Sequence, residues 1–124
     1  MSIGSFAFCD CRSLSSVRFG DSVIIIGNYA FSGCRSLTQI ELPNGVTTIG
    51  SRAFSVCPML RSLTIPNSVT YIGDDAVSGS LQLKAVRYNG TKEQWSSIQK
   101  GSNCMITNGS YGPDIHCTDG TISK

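Results

Sequence analysis

The sequence of 124 residues repeats one pattern every 23 residues, and this period constrains the fold more than any other feature. Four copies align Ile3, Ile26, Ile49 and Ile72, with a glycine directly after each and an alanine four positions after each. Further columns hold Phe8, Phe31, Phe54 and Val77; Cys11, Cys34, Cys57 and Ser80; Leu14, Leu37, Leu60 and Leu83; Val17, Ile40, Leu63 and Val86; and Phe19, Leu42, Ile65 and Tyr88. A period of this length with a fixed apolar set indicates a solenoid, because one unit cannot bury its apolar face alone and stacks on its neighbours.

Within each copy the sequence predicts two short strands separated by a turn. The spacing of Leu37, Ile40 and Leu42 ends in alternation of apolar residues, which favours a strand with one buried face. The Pro-Asn-Gly at 43–45 favours a tight turn, and residues 46–49 form a second short extended segment. We expect the Gly-x-x-Ala-Phe that follows to form a short helical turn, whose alanine permits close packing.

This repeat resembles a known family. The pattern Ile-Gly-x-x-Ala-Phe-x-x-Cys-x-x-Leu-x-x-Ile-x-Leu-Pro-x-x-Val, from Ile3 to about Gly90, resembles the BspA-like subfamily of leucine-rich repeats, found in large surface proteins of bacteria and some protozoa. Copy four departs from it, with Val77 for phenylalanine and Ser80 for cysteine. The resemblance implies a secreted or cell-surface location, adhesion as the function, and a mainly β, right-handed leucine-rich-repeat solenoid of about four 23-residue coils with short helical turns.

The repeat ends near residue 90, and the remaining chain is predicted to cap the open end of the last coil. Thr91 and Gln94 have capping-box spacing, which predicts a short helix that lays Trp95 over copy four. Residues 102–112 are rich in serine, asparagine and glycine and are predicted to form a loop, and residues 115–122 a closing hairpin. We therefore divide the domain into a solenoid, residues 1–90, and a C-terminal helix and hairpin cap, residues 91–124.

Charge and hydropathy exclude several classes of partner. Ten basic and eight acidic residues give a net charge of +2 without any basic run, so no footprint for nucleic acid or an anionic membrane is present. No stretch approaches the roughly 18 apolar residues of a membrane helix, and no signal peptide is visible. Because Met1 stands in the middle of a repeat, we expect the chain to be the C-terminal end of a longer protein.

The six cysteines leave two interpretations open. Cys11, Cys34 and Cys57 share one interior column, where stacked coils lie about 4.8 Å apart. This exceeds the Cβ separation of roughly 3.5 to 4.5 Å that disulfides need, so buried thiols acting as small apolar fillers are favoured. Cys104 and Cys117 enclose a loop and are the alternative disulfide. One Cys-x-Cys and one His-Cys pair do not make a zinc site, and no metal is expected.

No catalytic constellation can be assembled from the residues present. His116 is the sole histidine, and strand alternation points it outward, so we interpret it as a solvated hairpin residue with Asp114 and Asp119 nearby. The pair Asp74 and Asp75 is interpreted as complementing the dipole of the predicted helical turn. Nucleophile and phosphate-binding motifs are absent, which predicts a non-enzymatic protein without cofactors.

The outward strand positions are the candidate binding face. One row holds Ser16, Gln39, Ser62 and Ala85, and the next holds Arg18, Glu41, Thr64 and Arg87. A repeated sheet offers an extended surface whose side chains vary on a fixed scaffold, which suits recognition of a protein or glycan on a host or neighbouring cell. The alternatives are that these residues are only solvated, or that the domain is a structural spacer and cap in a larger surface protein.

The first copy is expected to be the weak end of the stack. No preceding unit covers its apolar column, and an open solenoid end exposes strand edges and apolar side chains. This predicts the lowest stability around Ile3 to Phe19 and self-association through that face. Ile24 and Ile25 replace the polar residues of other copies and are predicted to face a coil upstream.

Overall fold

The computed structural model describes residues 1–109 and 111–123. Its strands are short, as expected for a solenoid whose chain turns after each one. In chain order the elements are β1 Ser2–Ile3, β2 Ile25–Ile26, β3 Gln39–Glu41, β4 Thr48–Ile49, β5 Ser62–Pro66, β6 Tyr71–Ile72, β7 Ala85–Asn89, α1 Lys92–Ser97, β8 Gln99–Lys100, β9 Asp114–Cys117 and β10 Gly120–Ile122.

The strands form two sheets that run along the stack. The first sheet has the order β1-β2-β4-β6-β8 and the second β10-β9-β7-β5-β3. All neighbours pair in parallel except the hairpin of β9 and β10. Within the repeats each strand residue pairs with the residue 23 positions later, since Ile26 pairs with Ile49 and Ile40 with Leu63. This confirms the predicted mainly β solenoid of stacked coils, which we number one (residues 3–25), two (26–48), three (49–71) and four (72–90).

The predicted apolar columns form one continuous core from coil two to coil four. Phe31 and Phe54 are fully buried, and their rings stack with centroids 5.5 Å apart. Val77 continues that column and is also fully buried. The core therefore lies between the two sheets, where the alternation of each strand directs its apolar side chains.

The Gly-x-x-Ala-Phe segments form tight turns, so the prediction of a short helical turn in them is wrong. Ala30 N donates to Gly27 O at 3.2 Å, an i→i+3 bond, while Tyr29 N donates across to Ser51 O of the next coil at 3.0 Å. Tyr29 has a φ of 60°, as have its equivalents in the other coils to within a few degrees. Because every second N–H group of the segment donates a hydrogen bond to the next coil, a continuous i→i−4 helix cannot form.

The glycine of each turn is required by the closeness of the preceding coil. A Cβ at Gly27 would lie 2.7 Å from Gly4 C, and one at Gly50 would lie 2.6 Å from Gly27 C. At Gly73 the same added atom would lie 2.7 Å from Gly50 C. At Gly4 no atom lies within 4 Å of the corresponding position. The glycine column is therefore explained by coil stacking in every coil that has a described predecessor.

The C-terminal segment covers coil four as predicted. Thr91 caps α1, and both bonds of a capping box to Gln94 are present. Trp95 is buried edge-on against Tyr88, with ring centroids 5.2 Å apart. The hairpin is confirmed, while β8 and β9 extend the first and second sheets by one strand each. The boundary at residue 90 stays a prediction, since both sheets continue beyond it.

Coil one is the least covered of the coils. Phe8 is 38% exposed and Phe6 is 58% exposed, whereas Phe31 in the same column as Phe8 is fully buried. The prediction for Ile24 and Ile25 is wrong. Ile25 lies in β2 between β1 and β4, and both side chains are exposed at the surface of the first sheet.

Candidate functional site

The outward face of the second sheet brings the predicted rows together. The register aligns Gln39, Ser62, Ala85 and Asp114 in one row and Glu41, Thr64, Arg87 and His116 in the next. Every side chain of these two rows is exposed or half-buried, while the residues between them are buried. The rows are thus held in fixed relative positions by the backbone pairing, and their role in binding stays a prediction.

Ser16 and Arg18 are exposed but lie outside any strand, because coil one contributes no strand to the second sheet. Arg18 lines a polar groove of about 670 Å³ together with Glu41, Asp21 and Asn44. The groove places groups of both charge signs and an amide beside each other at the edge of the face. Such a surface can form directional hydrogen bonds with a polar partner.

His116 belongs to this face, which the sequence interpretation missed. It is exposed, as predicted, and pairs in register with Arg87, while its Nδ1 lies 3.0 Å from Thr121 Oγ1. A second groove of about 410 Å³ is lined by Arg87, His116 and Thr118 among others. The signal was hidden because Ile115 follows its partner Val86 by 29 residues instead of 23.

The charged groups of the face have no salt-bridge partner. Among residues 1–109 and 111–123 the one salt bridge joins Arg52 to Asp75 at 3.3 Å, in the turns outside this sheet. Glu41 therefore lies between Arg18 and Arg87 along the row without pairing to either. Unpaired, solvated charges are the groups that steer and orient a partner at an interface.

Asp74 and Asp75 have separate structural tasks. Asp74 Oδ1 accepts a hydrogen bond from Ser102 N at 2.7 Å, and Asp75 pairs with Arg52. Asn28 plays the same part as Asp74 two coils earlier, since its Oδ1 accepts from Ser51 N at 2.9 Å. The interpretation based on a helix dipole is wrong, because these turns are not helical.

Cys34 and Cys57 of the cysteine column are buried and hydrogen-bonded, while Cys11 in coil one is half-buried. Cys34 Sγ donates to Phe8 O and Cys57 Sγ to Phe31 O, each at 3.1 Å, so the thiols are more than apolar fillers. Ser80 Oγ makes the same contact to Phe54 O at 2.6 Å, which explains serine in copy four. Burial raises the pKa of Cys34 to about 11 and that of Cys57 to about 12, so neither is a nucleophile near neutral pH.

Other chemistry finds no support in the described residues. Cys117 carries a free thiol, so it forms no disulfide with Cys104 in this structure. No group of three or more histidine, cysteine, aspartate or glutamate residues is arranged to hold a metal ion in the described part of the chain. In the same residues, no helix has the length and apolar character needed to cross a bilayer.

Comparisons with known proteins identify the repeat. The model of the BspA type leucine rich repeat region matches residues 1–107, with six copies. A leucine rich cell surface protein of Faecalibacterium prausnitzii is similar in structure, with a TM-score of 0.75 and 35% identity over 77% of this chain and 25% of that chain. Among curated proteins no match is found.

Two further solved structures share the fold. A leucine rich repeat protein of T. pallidum has a TM-score of 0.72 and 30% identity over 85% of this chain and 47% of its own. A leucine-rich repeat protein from Bacteroides ovatus has a TM-score of 0.52 and 26% identity over 90% of this chain and 35% of its own. The chain thus spans less than half the length of each of these structures. Because the family model matches most of the chain, the protein belongs to the BspA-type leucine-rich repeat family.

Proposed function

We propose that this domain is a non-enzymatic binding module of a secreted or cell-surface protein, and that the outward face of its second sheet recognises another protein. The observation that carries the proposal is the row of Glu41, Thr64, Arg87 and His116, held in register by parallel pairing and carrying unpaired charges. The similar protein of Faecalibacterium prausnitzii is described as a cell surface protein, which supports the location.

The chemistry of the face favours a polar protein surface over a small molecule. The two grooves beside the rows are open and lined largely by side chains that can donate or accept hydrogen bonds. Arginine is enriched at the energetic centres of protein interfaces because its planar group forms paired hydrogen bonds. Arg18 lies next to Glu41 at the first groove and Arg87 lies next to His116 in the row, and both suit carboxylates or backbone carbonyls of a partner.

The test measures binding of the chain to immobilised extracellular-matrix proteins and to a glycan array. A variant with Arg18→Ala, Glu41→Ala and Arg87→Ala is expected to lose binding at least about tenfold, since truncating a hot-spot arginine of an interface to alanine costs about 2 kcal/mol or more. The control variant carries Lys92→Ala and Glu93→Ala on α1, two exposed residues that belong to neither row.

The outcome separates recognition from a purely structural role. Binding to a matrix protein that the control retains and the face variant loses supports the proposal. Binding to glycans alone would show that the partner is a carbohydrate and not a protein. No binding on either surface contradicts a recognition role and favours a spacer that separates other domains from the cell surface.

We also infer that coil one mediates self-association. Phe6 and Phe8 are exposed on that coil, and an uncovered apolar end favours contact with a second apolar surface. Sedimentation velocity over a concentration series should show a dimer that Phe8→Ser weakens. A monomer throughout the series contradicts the inference.

A further inference from the structure

Four equivalent segments of the repeat, of which the last three precede β3, β5 and β7, form a surface that we call the turn edge: residues 10–15, 33–38, 56–61 and 79–84. Arg12 and Arg35 occupy one repeat position on it, and Arg61 and Lys84 occupy another. All four are exposed, and none has a salt-bridge partner among the described residues. Asp10 is the single acidic residue of these segments. Since coils lie about 4.8 Å apart, like charges in one column repel each other and favour an anionic partner.

The same edge carries an apolar patch in coils three and four. Val56 is 53% exposed, Met59 42% and Leu81 49%, and Pro58 beside them is also exposed. The two coils are held together here, since Val56 N donates to Ser78 O at 2.7 Å. The equivalent positions in coils one and two hold aspartate, glycine, serine and arginine. The repeat itself therefore does not require these apolar side chains, and a contiguous exposed patch is typical of an interaction site.

A cavity lies directly beside the patch. It has a volume of about 280 Å³, and its walls include Leu81, Leu83, Lys84, Thr107 and Tyr111. The cavity is large enough for one apolar side chain, and Lys84 places a cation at its wall. Tyr111 is exposed and adds an aromatic surface to the lining. Leu81 and Leu83 supply the apolar part of a mixed lining and Lys84 supplies one cation, which matches an apolar anchor with a carboxylate next to it.

We propose that the turn edge docks an acidic protein segment that carries one apolar anchor residue. The anchor occupies the cavity beside Leu81, and the flanking carboxylates face Lys84, Arg61 and Arg35. Charge complementarity selects this occupant, because the edge carries four cations and one carboxylate. A nucleic acid would match the cations but offers no aliphatic anchor for the cavity. This surface shares no residue with the candidate face of the second sheet, so the two proposals stand or fall separately.

The test is fluorescence anisotropy of the full chain with a short dye-labelled peptide that has a central leucine between glutamates. We expect saturable binding that becomes about tenfold weaker when serine replaces the leucine, since the serine side chain buries much less apolar surface in the cavity. Binding is also expected to weaken as salt rises, because exposed charges are screened. Leu81→Ser should weaken binding of the leucine peptide and leave binding of the serine peptide unchanged.

Charge reversal completes the experiment. The pair Arg35→Glu and Arg61→Glu should weaken binding of both peptides at least about tenfold, while Lys92→Glu, at an exposed position on α1, leaves binding unchanged. Circular dichroism checks folding, and Lys84→Gln replaces the pair if that variant does not fold. The proposal is overturned by no saturable binding at about 1 mM peptide, by equal affinity for the leucine and serine peptides, or by equal binding of a lysine-flanked peptide. Preferential binding to phosphatidylserine vesicles or to single-stranded DNA overturns it as well.

Discussion

Coil one and the C-terminal cap sit at opposite ends of the same stack, and they differ in how the apolar column is covered. At the C-terminal end Tyr88, Trp95 and Ile115 are all buried. In coil one, Phe8 remains 38% exposed, although the same repeat position holds the fully buried Phe31, Phe54 and Val77 further along. A side chain in a solenoid is therefore buried by its neighbouring coil, and the repeat chemistry alone does not bury it.

Backbone hydrogen bonding shows the same contrast. The carbonyl oxygens of Asn28, Ala30 and Ser32 accept N–H groups of coil one at 2.9, 2.7 and 2.7 Å. The equivalent oxygens of coil one, at residues 5, 7 and 9, have no such donor among the described residues. Coil one therefore combines exposed rings with open acceptors, whereas Gly101 N in the cap donates to Ile72 O of coil four at 2.8 Å.

Removing the Trp95 ring, which covers coil four, should produce the largest loss of stability. Trp95→Ala is expected to lower the free energy of unfolding by about 3 to 5 kcal/mol, because a buried aromatic ring packed on Tyr88 leaves a cavity. Urea denaturation followed by circular dichroism measures the change. The matched control is Tyr111→Ala, an exposed aromatic residue, which should change stability by about 0.5 kcal/mol or less. A loss below about 1 kcal/mol for Trp95→Ala would mean that the cap does not stabilise coil four.

Replacing the repeat glycine by alanine in coil one and in coil four compares the two ends of the stack directly. Gly73→Ala places a methyl group against the backbone of coil three and should cost about 1 to 3 kcal/mol, or more, through overpacking. Gly4→Ala meets no atom within 4 Å and should leave stability unchanged or slightly raised. Thermal unfolding of the two variants side by side provides the measurement. Equal destabilisation by both would contradict close stacking as the reason for the glycine column.

The buried thiols of Cys34 and Cys57 should make the free energy of unfolding depend on pH, with a smaller effect than the substitutions above. Burial raises the pKa of Cys57 from 9.0 to about 12 and that of Cys34 to about 11, so the folded state holds these protons more tightly than the unfolded state. Their contribution to stability is intact below about pH 9 and is lost as the pH rises toward 11 to 12, by up to about 1.4 kcal/mol per pH unit for each thiol. Urea titrations at about pH 8 and pH 10.5 should show this loss, and Cys57→Ser should reduce it.

Labelling of the native protein tests the same column by another route. Cys11 is half-buried in coil one and should react with a thiol reagent first, while Cys34 and Cys57 stay unreactive until denaturant is added. Mass spectrometry of peptides after timed labelling gives the order. Rapid labelling of Cys34 and Cys57 would place them outside the interior.

The periodicity was sufficient to predict the solenoid and its core, because each column repeats within the sequence. Two features were hidden because they depend on contacts between coils. The turn around Tyr29 cannot be told from a helical turn until its N–H is found to bond Ser51. The equivalence of Ser80 and Cys57 appears only when both donate to a carbonyl of the coil before.

The candidate face was predictable as a pattern of exposed rows, but its last member was not. Asp114 and His116 join the rows through an insertion that breaks the 23-residue count, so no periodic signal marks them. The turn edge was also invisible as a site, because Val56, Met59 and Leu81 are departures from the repeat at single positions. Such departures gain meaning only when the fold brings them side by side.

Amide hydrogen exchange, read by mass spectrometry along the whole chain, tests the central claim that coverage by a neighbour sets stability. We predict the fastest exchange in residues 3–19, slower exchange in coils two and three, and slow exchange around Tyr88 that Trp95→Ala accelerates. Slower exchange in coil one than in coils two and three, or no change near Tyr88 in that variant, would contradict the account.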